Sequence, residues 1–246
     1  MNEEQKVILI LGASSDIGVG LIKKVNSDYN FIIAHYNSTS LQLQRLKLEL
    51  GDKLILLHAD FTDENSTNKF VDSIISKNII PSHILHLPAE KGSIKRFTKM
   101  TWADFEKRIL IGVRSIVVVL NKLLPRMSKL GGGKILIMLT IHTCQTPLKG
   151  CSDYVTEKYA LLGLIKALSV EYENRNITVN GISPGAIDTR FNSELPEFVL
   201  EQYAAGSASG KNLSVDDILP DIEYLLSDES GIISGENFVL DGSGLV

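Results

Sequence analysis

Cysteine is almost missing from this chain: among 246 residues only Cys144 and Cys151 carry a thiol. Two thiols make no disulfide framework, and their spacing is not that of a zinc site, so both are expected to be free in a reducing compartment. No apolar run approaches the about 20 residues needed to span a bilayer, which argues against a membrane partner. Met1 to Lys6 is polar and acidic, unlike a secretory leader, so a cytoplasmic location is expected. No basic block stands out either. Lys and Arg total 25 against 29 acids, for a net charge of -4, which disfavours nucleic acid as a partner. Repeats, low-complexity stretches and long linkers are also missing.

What is present is apolar and regularly punctuated. Hydrophobic residues make up 44% of the chain, enough for one large core over residues 1–246. Val7 to Leu11 is a continuous apolar run, as expected of a strand buried on both faces. Further strands are expected at Phe31–Ala34, Leu54–Leu57, Ile84–Leu87, Ile135–Leu139, Ile177–Ile182 and Phe238–Leu240. Between them, apolar residues at helical spacing predict helices beginning near Val19, at Leu41–Leu50, over 65–76, at Trp102–Met127, around Tyr154 and at Val215–Leu226. Alternating strands and helices imply an α/β fold: a single doubly wound parallel sheet of about seven strands, a Rossmann fold with helices on both faces. Ligands of such sheets bind at the carboxyl ends of the strands.

Several candidate residues lie at those ends. Gly12-Ala13-Ser14-Ser15-Asp16-Ile17-Gly18 joins the first strand to a helix. Glycines admit the backbone close to an anion, and the helix N-terminus offers free N–H groups, so this unit is a phosphate-binding loop. Asp16 stands where many such loops carry a third glycine, and its charge should point away from a pyrophosphate. Asn37 and Ser38 follow the second strand, where sites for NAD usually place an acid. None is there, which favours NADP over NAD, although no Arg or Lys accompanies the pair. Asp60, followed by Phe61, is placed to accept a hydrogen bond from an adenine amino group. Tyr154 and Lys158 stand one helical turn apart on the same face. An ammonium beside a phenol lowers its pKa, so Tyr154 becomes a general acid or base toward a carbonyl or alcohol. His86 has no second metal ligand at a useful spacing and is expected to be a strand residue.

Together these residues resemble the short-chain dehydrogenase/reductase family, in particular its 3-oxoacyl-acyl-carrier-protein reductase type, over essentially the whole chain. Gly12 to Gly18 is similar to the family's phosphate loop, and Asp60 to its adenine-contacting Asp. Tyr154 and Lys158 are similar to its catalytic pair. Asn180 to Thr189, with Pro184, Gly185, Ile187 and Thr189, is similar to the segment that seats the nicotinamide. The resemblance implies hydride delivery to a carbonyl carbon while Tyr154 protonates the oxygen and Lys158 holds the nicotinamide ribose. The family's serine at the end of the fifth strand is represented by Thr140, with Thr143 as the other candidate. Its Asn-Asn-Ala-Gly segment is replaced by Leu87-Pro88-Ala89-Glu90, of which Ala89 keeps the cofactor contact. The Asn of its proton relay falls at or near Gly112.

The expected activity is NAD(P)-dependent interconversion of a carbonyl and an alcohol on a small-molecule substrate. A member that binds nucleotide but turns over little is the alternative, motivated by Glu90, Gly112 and Thr140; a sugar-nucleotide epimerase or dehydratase needs a larger C-terminal region. Residues 191–212 lie where the family has a substrate-covering flap, with Gly206 to Gly210 as its hinge. The resemblance also implies a homo-oligomer, a tetramer or dimer, built through the helices near 102–127 and 153–172.

Overall fold

The computed structural model describes residues 5–38, 40–91 and 94–242. Its centre is β1 (Val7–Leu11), whose five side chains are all buried. A run with no polar residue has no face to offer water, so it sits in mid-sheet. β2 (Phe31–Tyr36), β3 (Leu54–His58), β4 (His83–His86), β5 (Gly133–Met138), β6 (Ile177–Pro184) and β7 (Asn237–Leu240) complete the sheet. The strand order is β3-β2-β1-β4-β5-β6-β7, and every pairing is parallel. Growth reverses direction between β1 and β4, which opens a crevice at their carboxyl ends.

Parallel neighbours need crossover helices, and these cover both faces. α1 (Asp16–Val25), α2 (Leu41–Leu50) and α8 (Val215–Leu226) bury Leu21, Ile22, Leu43, Leu46, Ile218 and Ile222 against one side of the sheet. On the other side α3 (Glu64–Ser76), α5 (Ser115–Lys129) and α6 (Ser152–Glu171) bury Phe70, Ile74, Leu120, Leu123, Leu161 and Ile165. Alternate residues of β1 divide between the two cores: Ile8 and Ile10 face one, Val7, Leu9 and Leu11 the other.

The structure corrects two expectations about helices. Trp102 to Met127 is not one regular helix. It is α4 (Trp102–Arg108), a π-helical turn over Ile109–Arg114, and then α5. The wide turn contains Gly112, and a Cβ at that position would lie 2.7 Å from Cδ of Glu157. The backbone therefore swells where α6 presses a carboxylate into it. The 191–212 segment contains α7 (Glu197–Gly206), whose single buried residue, Val199, leaves too little periodicity to be seen in sequence.

Candidate active site

The turn after β1 is the floor of the crevice. Ser15 caps α1: its Oγ accepts the N–H of Gly18 at 3.1 Å. Gly18 itself packs so tightly that a Cβ would sit 2.7 Å from Cα of Ala13. Only glycine closes the loop onto the helix this way. Among the described residues, no chain atom accepts from the N–H groups of Asp16 and Ile17 in the first turn. With the helix dipole behind them they fit a pyrophosphate. The Asp16 carboxylate turns to Arg190, accepting from Nε at 2.7 Å and from the backbone N–H at 2.8 Å.

Sequence reasoning missed the residue that holds this turn. His35, buried at the end of β2, accepts the Gly12 N–H on Nδ1 at 3.0 Å and donates Nε2–H to the Ala59 carbonyl at 3.1 Å. Those partners fix the neutral tautomer. Burial lowers its pKa from 6.5 to about 4, against the weaker pull of the Ala59 carbonyl. A histidine that must stay neutral in the fold but protonates when unfolded costs stability as pH falls. The contribution is complete above about pH 6.5 and lost through the window down to about 4. His83, lowered to about 3, has the same sign. Urea unfolding at pH 7 and pH 5 should therefore give a loss at pH 5, of which His35 accounts for about 2 kcal/mol. A His35→Gln variant should show that much less pH dependence.

A cleft of about 540 Å³ runs from this turn across the carboxyl ends of the strands. Gly12, Ser14, Ser15, Asp16 and Ile17 line its floor; Asn37, Ser38 and Phe61 line one end. Ala89, Thr140, Tyr154 and Lys158 line the other, faced by Pro184, Gly185, Ile187 and Thr189. Two expected residues stand outside its walls. Gly18 lies behind Ser15 in the helix. Asp60 Oδ1 accepts from the backbone N–H and the hydroxyl of Thr62 at 2.8 and 2.7 Å. Those bonds hold its carboxyl below the usual carboxylate range. Phe61, stacked on His35 with ring centroids 4.0 Å apart, is what faces the cleft there.

The structure also separates Thr140 from Thr143. The Thr143 hydroxyl donates to the Thr140 carbonyl at 2.8 Å and meets Ser183 Oγ at 3.0 Å, so it ties β5 to β6. The Thr140 side chain lines the cleft with Tyr154 and lies near enough to draw the phenol pKa down. Lys158 is buried; its Nζ donates to the Met138 carbonyl at 3.0 Å and lies 5.5 Å from the Tyr154 ring centre. Glu90 does not obstruct the cleft by reaching across it, since its carboxylate accepts from Lys107 Nζ at 2.8 Å. Both cysteines are free thiols. Cys151 faces the cleft, where burial raises its pKa.

One electrostatic expectation fails. The Tyr154 phenol is not made more acidic: its pKa is raised, first by burial and then by the Glu157 carboxylate, against the Thr140 side chain and the Arg108 guanidinium. The cation of Lys158 is answered by Glu157, with Nζ 3.3 Å from Oε1. Arg108 binds Asp153 at 2.5 Å and lies 3.8 Å from Glu157. All four groups are buried.

Residues of the 191–212 segment line this end of the cleft. Tyr203 of α7 lines the cleft and bonds His142 Nε2 through its hydroxyl at 2.7 Å. Glu194 pairs with Lys91 on the opposite rim. None of these contacts has a local signature in the sequence. Among the described residues no group of His, Cys, Asp and Glu is arranged to hold a metal, and no helix is long and apolar enough to cross a membrane.

A parallel sheet with a glycine turn at its switch point, and a Tyr–Lys pair on the same rim, defines a dinucleotide-binding α/β oxidoreductase. Residues 12–244 match the family model described as enoyl-(acyl carrier protein) reductase. (+)-Borneol dehydrogenase 1 of Salvia officinalis is 27% identical over 97% of this chain and 93% of its own. The 3-oxoacyl-[acyl-carrier-protein] reductase of Buchnera aphidicola is 24% identical over 98% of both chains. A short-chain dehydrogenase/reductase of Serratia marcescens superposes with a TM-score of 0.87 over 97% of both chains at 24% identity. The chain belongs to the short-chain dehydrogenase/reductase family. Its class of chemistry is NAD(P)-dependent exchange between carbonyl and alcohol.

Proposed function

We propose that this protein reduces a small-molecule carbonyl with NADPH, using Thr140, Tyr154 and Lys158, as one dinucleotide-binding unit covered by the 191–212 flap. The observation that carries the reading is convergence. Thr140, Tyr154 and Lys158 line one wall of the cleft whose floor is the phosphate loop. Asp16 and Ile17 would hold the pyrophosphate by their N–H groups, and Lys158 the nicotinamide ribose. A bound nicotinamide supplies the hydride.

The chain's own residues handle the oxygen. Thr140 orients the carbonyl by donating a hydrogen bond. Tyr154, whose raised pKa keeps it protonated at neutral pH, gives its proton to the developing alkoxide. Tyr203, Leu195 and Phe191 line the cleft from the flap side and exclude water. Turnover of a broad panel of ketones and aldehydes, followed by nicotinamide absorbance, tests the reading. Tight nucleotide binding with no turnover would favour the alternative of a binding-only member, motivated by Glu90, Gly112 and Thr140.

Preference for NADP rests on Asn37 and Ser38, which line the cleft and bring no carboxylate toward a 2′-phosphate. Asn37→Asp should shift the ratio of NADPH to NADH affinity toward NADH by about tenfold or more, measured by titration of each nucleotide. An unchanged ratio would place the 2′-phosphate elsewhere.

We also propose a homo-oligomer. Val117 on α5 and Tyr159 and Val170 on α6 are exposed apolar side chains on the two helices expected to meet a second copy. Light scattering should give a mass of two or four chains. A monomer at all concentrations tested would contradict this.

A further inference from the structure

Glu157 is the residue the catalytic reading leaves unexplained. It is fully buried, and neither carboxylate oxygen has a hydrogen bond within the usual geometry. Bare buried carboxylates are costly, so this one requires compensation. Two cations supply it: Lys158 Nζ at 3.3 Å and Arg108 Nη1 at 3.8 Å. Space comes from α4's continuation, where the π turn and Gly112 leave a hollow that the Glu157 side chain fills.

From this geometry we infer that Glu157 is a positioning residue that keeps Tyr154 protonated and so biases the site toward carbonyl reduction. The inference rests on the proposal that Tyr154 is the acid. Charged groups face this phenol from several elements. On α6 they are Asp153, Glu157 and Lys158; Arg108 comes from α4, its guanidinium carbon 5.4 Å from the ring centre. Cys151 precedes α6, Tyr203 comes from the flap, and His86 of β4 lies close enough to Lys158 to feel its charge. Arg108, although paired with Asp153, still draws the phenol pKa down, and Glu157 pushes it up. The neighbouring cation Lys158 is answered by Glu157 at 3.3 Å. A cation alone would stabilise the phenolate that alcohol oxidation needs; the Glu157 carboxyl, raised by burial and drawn back down by Lys158 and Arg108, opposes that cation. Burial raises the phenol pKa in the same direction.

The test reads tyrosine ionisation without cofactor or substrate. Phenolate absorbance is titrated in the wild type, in Glu157→Gln, and in Tyr154→Phe, whose curve is subtracted to isolate Tyr154. The wild-type step should lie above the range of ordinary tyrosines. In Glu157→Gln it should move down by about one unit or more, a tenfold gain in phenolate at fixed pH. Alcohol oxidation at neutral pH should rise about tenfold, and the alkaline limb of reduction should move down with it. Glu157→Gln leaves Lys158 without its counter-ion and could fail to fold. The Gly112→Ala/Glu157→Ala double variant then serves, because removing Glu157 frees the space an added Cβ would occupy. A Tyr154 step that stays in place in either folded variant overturns the assignment of Glu157, even while Tyr154→Phe is inactive. A Tyr154→Phe enzyme with wild-type turnover overturns the acid itself.

Discussion

Tyr154→Phe should lower kcat for carbonyl reduction by about 10²–10⁴-fold while leaving NADPH affinity unchanged. The substitution removes one hydroxyl and keeps the ring, so the contacts of the ring with Arg108 and Lys158 persist. What disappears is the hydroxyl that faces the cleft beside Thr140. Without that hydroxyl only solvent is left to protonate the alkoxide, in a cleft the flap shields. Steady-state rates and a nucleotide titration on the same preparation separate chemistry from binding. If kcat fell less than about threefold, another group on the cleft wall, such as Tyr203 or Cys151, would have to be the acid.

Arg108→Met should be the most damaging single change to stability, costing about 3–5 kcal/mol. Arg108 is 2% exposed and serves four acceptors. Its Nε binds Asp153, Nη1 and Nη2 bind the carbonyls of Glu90 and Lys91, and Nη1 approaches Glu157. A thioether of similar length fills the volume but leaves Asp153 unpaired and two carbonyls without a donor. The melting temperature should fall by about 6–20 °C, given about 2–4 °C per kcal/mol for a chain of this size. The exposed pair of Lys122 with Asp72 gives the contrast. Lys122→Met should cost below about 1 kcal/mol, since water replaces the partner. Equal losses in the two variants would mean that the buried network contributes no more than a surface contact.

These two residues also show how far the sequence could be read. The seven strands were legible because a parallel sheet buried on both faces demands apolar runs such as Val7–Leu11 and Ile135–Leu139. That Tyr154 and Lys158 share one wall of the cleft was legible because they stand four residues apart on one helix. Arg108 and Glu157 were not. Glu157 adjoins Lys158 in sequence, and neighbouring helical positions point apart; the pair meets only because Lys158 bends back to the Met138 carbonyl. The hollow above Gly112 exists only in a π turn that no periodicity announces. Asp60 has a local role the sequence did not announce: its Oδ1 accepts from the backbone and hydroxyl of Thr62, two residues on. The flap contacts, such as Tyr203 with His142, join residues 61 apart and have no sequence signal.

Transfer of label from NADPH deuterated at the reactive nicotinamide carbon, read by mass spectrometry across a carbonyl panel, tests the central claim most directly. Wild-type protein should return an alcohol with a single deuterium on the carbinol carbon, and Tyr154→Phe no more than a trace of it. Bound nucleotide with no labelled alcohol from any carbonyl, or equal label from both proteins, would contradict it.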